Sequence, residues 1–223
     1  MIHAVVFDLY ETLVTELDRP LRRASSLATQ LGVDESAYKR EWKSWRPKIV
    51  LGRCMFHDAL AQIAATLGGV VDQRLLEGLR AERVDQKTAV LKTVEPEMLA
   101  AVGELRRRGL KLGIITNAFA EDVAGWEWSP LRPFFDVVVV SCAVGLAKPD
   151  PEIYLHACRA LGALPQCTLF VGDGVDEVAG ARAAGLAASR ALWFASRWPQ
   201  TTVKHEDLGL WRMSQVVDAI FAA

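Results

Sequence analysis

The chain has no excess of charge of either sign. Its 223 residues carry 26 Lys and Arg against 27 Asp and Glu, so the net charge is -1. This balance gives no electrostatic case for binding nucleic acid or an anionic membrane surface. No apolar stretch approaches the roughly 20 residues that a bilayer span needs. We therefore expect neither a nucleic-acid partner nor a membrane partner.

Close pairs of metal-binding side chains are also missing. The four cysteines lack CxxC spacing, and the four histidines are scattered, so a thiolate or histidine metal site is not predicted. We expect reduced thiols in a cytoplasmic protein. The N-terminus leads directly into an apolar run, which leaves no room for a signal peptide. The oligomeric state stays open. The cysteines are Cys54, Cys142, Cys158 and Cys167.

Short apolar runs alternate with helical patterns along most of the chain. Predicted strands cover about 2–7, 110–115, 137–140, 168–171 and 191–194. Predicted helices between or after them include 95–108, 120–126, 151–161, 178–184 and 216–221. Strands that alternate with helices favour an α/β fold with a doubly wound parallel sheet.

One long segment departs from this alternation. From Leu17 to about Val90 the texture is helical and is punctuated by glycines, which predicts roughly four helices. We interpret 16–90 as a smaller α-helical domain inserted into a core made of 1–15 and 91–223. Asp34 is a plausible helix N-cap within it, and another helix is expected to open at Val71-Asp72.

Polar side chains follow the first four predicted strands. The first strand ends at Asp8, the second at Thr116 and Asn117, and the fourth at Asp173, while Lys148 follows the third. Each alone fits an ordinary turn or cap. The carboxyl ends of parallel strands share one sheet edge, so these groups are expected to converge there.

Their chemistry is complementary. A carboxylate such as Asp8 can act as a nucleophile. Lys148 and the Thr116 hydroxyl can bind an anionic substrate. Asp8 and Asp173 would repel each other unless a cation lay between them, and Mg²⁺ suits oxygen ligands and bridges readily to phosphate. The pattern predicts a magnesium-assisted reaction on an anionic substrate.

In this order the residues resemble the haloacid dehalogenase-like hydrolase superfamily. The matching motifs are Asp8 to Thr12, Thr116-Asn117, Lys148 to Pro151, and Gly172-Asp173 with Asp176 and Glu177. The resemblance spans essentially the whole chain and implies that 16–90 is a helical cap over the site. It also implies a Mg²⁺-dependent phosphatase of a small phosphorylated metabolite that works through an aspartyl-phosphate on Asp8.

One departure concerns Tyr10, because the family's phosphatases usually carry a general-acid Asp at that position. A phenol with an ordinary pKa near 10 is a poor acid at neutral pH. The family's 2-haloacid dehalogenases have a Tyr there, and their halide leaving group needs no proton. Those enzymes lack a metal, however, whereas Asp173 stands where the phosphatases place a magnesium ligand. The backbone carbonyl of Tyr10 would serve as another ligand.

Other positions leave alternatives open. Glu11 replaces a residue that is usually Gly, and either Asp176 or Glu177 could be the second acid of the last motif. Predicted substrate contacts are Tyr10, Asn117 and, from the cap, Arg46. The alternatives to a phosphatase are a metal-independent 2-haloacid dehalogenase that forms an aspartyl ester, or a catalytically decayed protein that binds a phosphometabolite.

Overall fold

A single parallel sheet forms the centre of the molecule. The computed structural model describes residues 1–16, 24–197 and 209–221. Its strands are β1 (Ala4–Phe7), β2 (Lys111–Thr116), β3 (Val137–Val140), β4 (Thr168–Gly172) and β5 (Ala187–Arg190). Their order is β3-β2-β1-β4-β5, so later strands add on both sides of the first one. This order confirms the predicted doubly wound α/β fold.

Ten α-helices lie in the described ranges. They are α1 (Ala24–Gln30), α2 (Glu35–Val50), α3 (Phe56–Thr66), α4 (Gln73–Lys92), α5 (Pro96–Arg107), α6 (Ala120–Val123), α7 (Ser141–Val144), α8 (Pro151–Leu161), α9 (Val175–Ala183) and α10 (Ser214–Phe221). None of these helices is long and apolar enough to cross a bilayer. The bounds of α8 agree with the predicted helix 151–161, because Pro151 and Gly162 mark both of its ends.

Helices cover both faces of the sheet. Along β1, Val5 and Phe7 pack into a cluster with residues of α5 and α10. The alternate residues Ala4 and Val6 pack into a second cluster with residues of α8 and α9. All four side chains are fully buried. Successive strand residues point to opposite faces, so burial of both faces explains why this strand is a continuous apolar run.

The described part of the segment between β1 and α5 contains four helices, α1 to α4, in agreement with the roughly four predicted. They share an apolar cluster that includes Tyr38 and Phe56. The side chain of Asp34 accepts a hydrogen bond of 2.8 Å from a backbone N–H at the start of α2, and Asp72 caps α4 in the same way at 2.7 Å. The division into a cap of 16–90 and a core of 1–15 and 91–223 stays a prediction, and α4 itself continues to Lys92.

The predicted position of the fifth strand was wrong. The strand β5 lies at 187–190, and the predicted run 191–194 follows it. Ala191 makes only an isolated bridge to Leu210, yet Leu192, Trp193 and Phe194 are buried. An apolar run signals burial, and burial alone does not decide which residues pair with a neighbouring strand.

Candidate active site

The predicted strand-end residues meet at one edge of the sheet. Asp8 directly follows β1, Thr116 is the last residue of β2, and Asp173 directly follows β4. The register aligns Phe7 with Ile114 of β2 and with a residue of β4 one position before that strand ends. Asp8 and Thr116 are both buried. The parallel register therefore places these three side chains along the same carboxyl edge.

Lys148 lies at the centre of this edge. Its ammonium group is fully buried, donates a hydrogen bond to Asp8 Oδ1, and donates another of 2.8 Å to Glu177 Oε2. Burial by itself lowers the pKa of Lys148, but attraction to Asp8 and Glu177 outweighs it and raises the pKa above its usual value. The lysine therefore remains a cation beside the candidate nucleophile.

The backbone of Lys148 is held from two sides. The Asn117 side-chain amide donates to the Lys148 carbonyl at 2.8 Å and accepts from the Lys148 N–H at 2.9 Å. Helix α9 approaches so closely that a Cβ on Gly180 would lie 2.2 Å from the Pro149 carbonyl oxygen. Asn117 was predicted to contact substrate, but the structure engages its amide oxygen and nitrogen with the Lys148 backbone, which positions the lysine.

Three carboxylates surround the lysine. Asp8, Asp173 and Glu177 each offer an oxygen, and these three oxygens lie within 4.8 Å of one another. Burial, followed by the negative charges of Asp8 and Glu177, raises the pKa of Asp173 to about 7, although Lys148 acts in the opposite direction. Burial likewise raises the pKa of Glu177. One ammonium group does not balance three carboxylates in this partly buried space.

This donor set fits a divalent cation. Mg²⁺ prefers oxygen ligands and is commonly held by one or two carboxylates together with a substrate phosphate. The uncompensated negative charge at Asp173 is the charge that such an ion would neutralise. Among the described residues, no other group of three metal-ligating side chains lies this close together.

The two acids left open in the last motif are placed differently. Glu177 joins the cluster, whereas the side chain of Asp176 is exposed. The backbone carbonyl of Glu177 also accepts a 2.7 Å hydrogen bond from Tyr154, which fixes the start of α9. Arg46, the predicted substrate contact on α2, is exposed, and its role stays a prediction.

The Tyr10 hydroxyl forms its hydrogen bond outside the carboxylate cluster. Its hydroxyl donates a 2.5 Å hydrogen bond to the backbone carbonyl of Asp122, and the Lys87 ammonium lies 4.3 Å from its ring centroid. Burial, with the nearby charges of Asp122 and Glu16, raises the pKa of Tyr10 far above its usual value. The phenol therefore stays protonated, and its proton is already shared with a backbone carbonyl.

Two further residues, which were not among the predicted site residues, support the nucleophile. The Thr12 hydroxyl donates to Asp8 Oδ2 at 3.3 Å, and the Trp193 indole N–H donates to the Thr12 carbonyl at 2.9 Å. All three side chains are buried. Thr12 is part of the first motif, so its contact had a sequence signal. Trp193 is 181 positions away from Thr12, and only the fold brings the two together.

The unusual Glu11 occupies a backbone conformation that favours glycine. Its φ is 57°, and it is the only non-glycine residue with positive φ among those described. Such a conformation costs about 1–2 kcal/mol for a residue with a Cβ. The Glu11 carboxylate accepts hydrogen bonds from the Thr15 hydroxyl at 2.7 Å and the Glu16 N–H at 2.8 Å, which offset part of that cost.

A doubly wound parallel sheet with an aspartate, a buried lysine and an acidic cluster at its carboxyl edge defines a hydrolase that uses a carboxylate nucleophile. The profile of the haloacid dehalogenase-like hydrolases matches residues 2–185. This match covers most of the chain, and the protein belongs to that family. The resemblance carried by the four motifs is thereby confirmed.

Individual relatives agree with the family assignment. The chain is 29% identical over 198 residues to a glyceraldehyde 3-phosphate phosphatase of Methanopyrus kandleri, which covers 85% of this chain and 84% of the relative. One solved structure with a similar fold is a family enzyme of Bacteroides thetaiotaomicron, an Asp-to-Ala variant in complex with magnesium and inorganic phosphate. It is 16% identical to this chain with a TM-score of 0.63, and the alignment covers 92% of this chain and 98% of the other.

A dehalogenase shares the fold as well. The L-2-haloacid dehalogenase of Xanthobacter autotrophicus, with chloropropionic acid covalently bound, is 22% identical with a TM-score of 0.61, and the alignment covers 100% of each chain. At such identities these two solved structures support the fold alone.

Proposed function

We propose that the protein is a Mg²⁺-dependent phosphatase of a small phosphorylated metabolite. The observation that carries this proposal is the cluster of Asp8, Asp173 and Glu177 around a single buried lysine. A metal-independent reaction has no need of this excess of carboxylates, whereas a phosphoryl group and its magnesium ion need oxygen ligands. The phosphatase name of the relative from Methanopyrus kandleri supports the same reaction.

Asp8 is the proposed nucleophile. One of its carboxylate oxygens attacks phosphorus, the bond from phosphorus to the leaving oxygen breaks, and an aspartyl-phosphate forms while the leaving oxygen takes a proton from solvent water. Water then attacks that phosphorus, which releases inorganic phosphate and regenerates the Asp8 carboxylate. The Thr12 hydroxyl orients Asp8 through its 3.3 Å hydrogen bond. Lys148 and Thr116 bind the phosphoryl oxygens. Both lie at the carboxyl edge of the sheet, so their donors are already in place for the negative charge that develops on those oxygens during the reaction.

Asp8, Asp173, Glu177 and the Tyr10 carbonyl are the proposed magnesium ligands. When bound, magnesium supplies positive charge that allows an anionic phosphoryl group to approach three carboxylates. The exposure of Asp176 favours Glu177 as the second acid of its motif. A cytoplasmic location stays a prediction.

The test is turnover of p-nitrophenyl phosphate with and without divalent metal. We expect EDTA to abolish turnover, Mg²⁺ to restore it, and Asp8→Asn to remove it. Asp176→Asn is the matched control, because it makes the same chemical change at an exposed neighbour and should retain activity. Full activity in EDTA would overturn the proposal. Tight binding of phosphate without turnover would indicate a decayed phosphometabolite-binding protein.

The placement of Tyr10 favours a second candidate, a 2-haloacid dehalogenase. Its phenol is committed to the Asp122 carbonyl, so it does not supply a proton to a leaving group in this conformation. A halide leaves without a proton, and Asp8 would then attack carbon to form an ester. Release of chloride from 2-chloropropionate in EDTA, at rates exceeding phosphatase turnover, would establish this reaction instead.

A further inference from the structure

A cavity of about 140 Å³ lies within the segment between β1 and α5, lined by Glu16 and by residues of α1, α3 and α4. Its polar lining comes from Glu16 and from Arg83, Gln86 and Lys87 of α4, while Phe56 and two leucines form its apolar side. A single water needs roughly 10–15 Å³ of such space, so the cavity has room for an organic group of several heavy atoms.

The cavity lies close to the loop that carries the nucleophile. Lys87 lies 4.3 Å from the ring centroid of Tyr10. Arg83 pairs at 2.6 Å with Asp122, whose backbone carbonyl accepts the Tyr10 hydrogen bond. Tyr10 is two residues from Asp8, and two residues span at most about 7 Å. Lys87 therefore contacts a residue of the loop that carries Asp8, and Arg83 is linked to the same residue through Asp122.

The lining has more donors than acceptors. Two cations face the cavity, and Glu16, paired with Lys87 at 2.7 Å, is the carboxylate among the described lining residues. The Arg83 Nε is buried and has no hydrogen-bond partner among the described residues. Its guanidinium lies over the rings of Phe56 and Phe119, at 5.0 and 4.5 Å, and its Nη2 pairs with Asp122, so it is held in place while Nε keeps its donor. A carboxylate is the ligand group that such donors bind best.

We propose that this cavity binds the carboxylate end of the substrate, and that the substrate is a short phosphorylated carboxylic acid selected by Arg83 and Lys87. The proposal rests on the phosphatase function proposed above. Asp8 and Lys148 bind the phosphoryl end of the substrate, whereas the cavity binds its carboxylate end. The apolar side of the cavity accommodates the few carbons between the two anionic ends.

The test compares 2-phosphoglycolate with ethyl phosphate, which have the same phosphoryl group and similar length but differ in the carboxylate. We expect the wild type to prefer 2-phosphoglycolate in kcat/KM. Arg83→Met and Lys87→Met should each reduce this preference about tenfold or more, chiefly through KM, because each removes a charged donor. An unchanged preference in both variants would overturn the proposal.

Arg80→Met is the matched control. Arg80 lies almost one turn before Arg83 on α4 and pairs at 3.1 Å with the buried Glu121, but it does not line the cavity. This variant also removes the partner of a buried acid, so it reproduces the structural cost, and we expect its preference to remain that of the wild type. If Lys87→Met folds poorly, Lys87→Met with Glu16→Leu removes the whole ion pair and leaves no unpaired charge.

Failure of this inference is distinguishable from failure of the proposed function. If the wild type shows no Mg²⁺-dependent turnover of p-nitrophenyl phosphate, the phosphatase proposal fails and this inference falls with it. If it hydrolyses p-nitrophenyl phosphate but treats 2-phosphoglycolate and ethyl phosphate alike, the inference about the cavity alone is wrong.

Discussion

Replacing Asp173 by Asn should stabilise the metal-free protein at alkaline pH. In the folded state, burial and the charges of Asp8 and Glu177 raise the pKa of Asp173 to about 7. An unfolded Asp has a pKa of about 3.9. Between these values the folded state binds the extra proton, so this group reduces stability progressively as pH rises from about 4 to about 7. Above about pH 7 the loss is complete.

The size of the effect follows from the shift in pKa. A difference of about 3 units corresponds to at most about 4 kcal/mol, since each unit is about 1.4 kcal/mol. Asp173 is partly exposed to solvent, which screens the charges, so we expect Asp173→Asn to gain about 1–3 kcal/mol at pH 8. For a chain of this size, each kcal/mol raises Tm by about 2–4 °C. At pH 5 the folded wild type is protonated at Asp173 but the unfolded chain is already ionised there, so the gain should fall to about a third of its value at pH 8.

Thermal unfolding in EDTA at pH 5 and pH 8 measures this gain, with Asp176→Asn as the control for the same change at an exposed site. Added Mg²⁺ should raise the Tm of the wild type at pH 8 and have little effect on Asp173→Asn, because ligands that bind only the folded state stabilise it. Equal Tm values for wild type and Asp173→Asn at pH 8 would refute the electrostatic reasoning. An equal response of both to Mg²⁺ would refute the assignment of the ligand.

Two further substitutions test how the site is positioned. Trp193→Phe removes the indole donor to the Thr12 carbonyl, and we expect kcat to fall about tenfold with little change in KM. Trp126 is also buried in the core, and the control variant Trp126→Phe should leave kcat unchanged. Gly180→Ala should lower the free energy of unfolding in urea by about 1–3 kcal/mol and also lower kcat, because its Cβ would overlap the backbone that follows Lys148. Gly78→Ala on α4 is the control: its Cβ meets open space, so the free energy of unfolding should rise by about 0.5–1 kcal/mol.

The sequence predicted most of the fold because its signals were local. Pro151 and Gly162 mark the ends of α8, and the caps at Asp34 and Asp72 form within three residues of each helix start. Such interactions depend on neighbours in the chain and are therefore readable from it. The fifth strand was misplaced because its own residues, Ala187–Arg190, are only weakly apolar and their pairing with β4 is a long-range choice.

The candidate site likewise combines features that are readable from the sequence with features that only the fold decides. The sequence by itself determined which chemical groups stand at the strand ends, because an apolar run that stops at Asp8 or Asp173 is a local pattern. Tertiary structure decided which neighbour each group meets. It turned the amide of Asn117 toward the Lys148 backbone and brought Glu177 into the carboxylate cluster while it left Asp176 exposed. It also directed the Tyr10 hydroxyl to a backbone carbonyl 112 positions away. Burial and charge pairing across the fold set those contacts, and neither is encoded in the spacing of the residues along the chain.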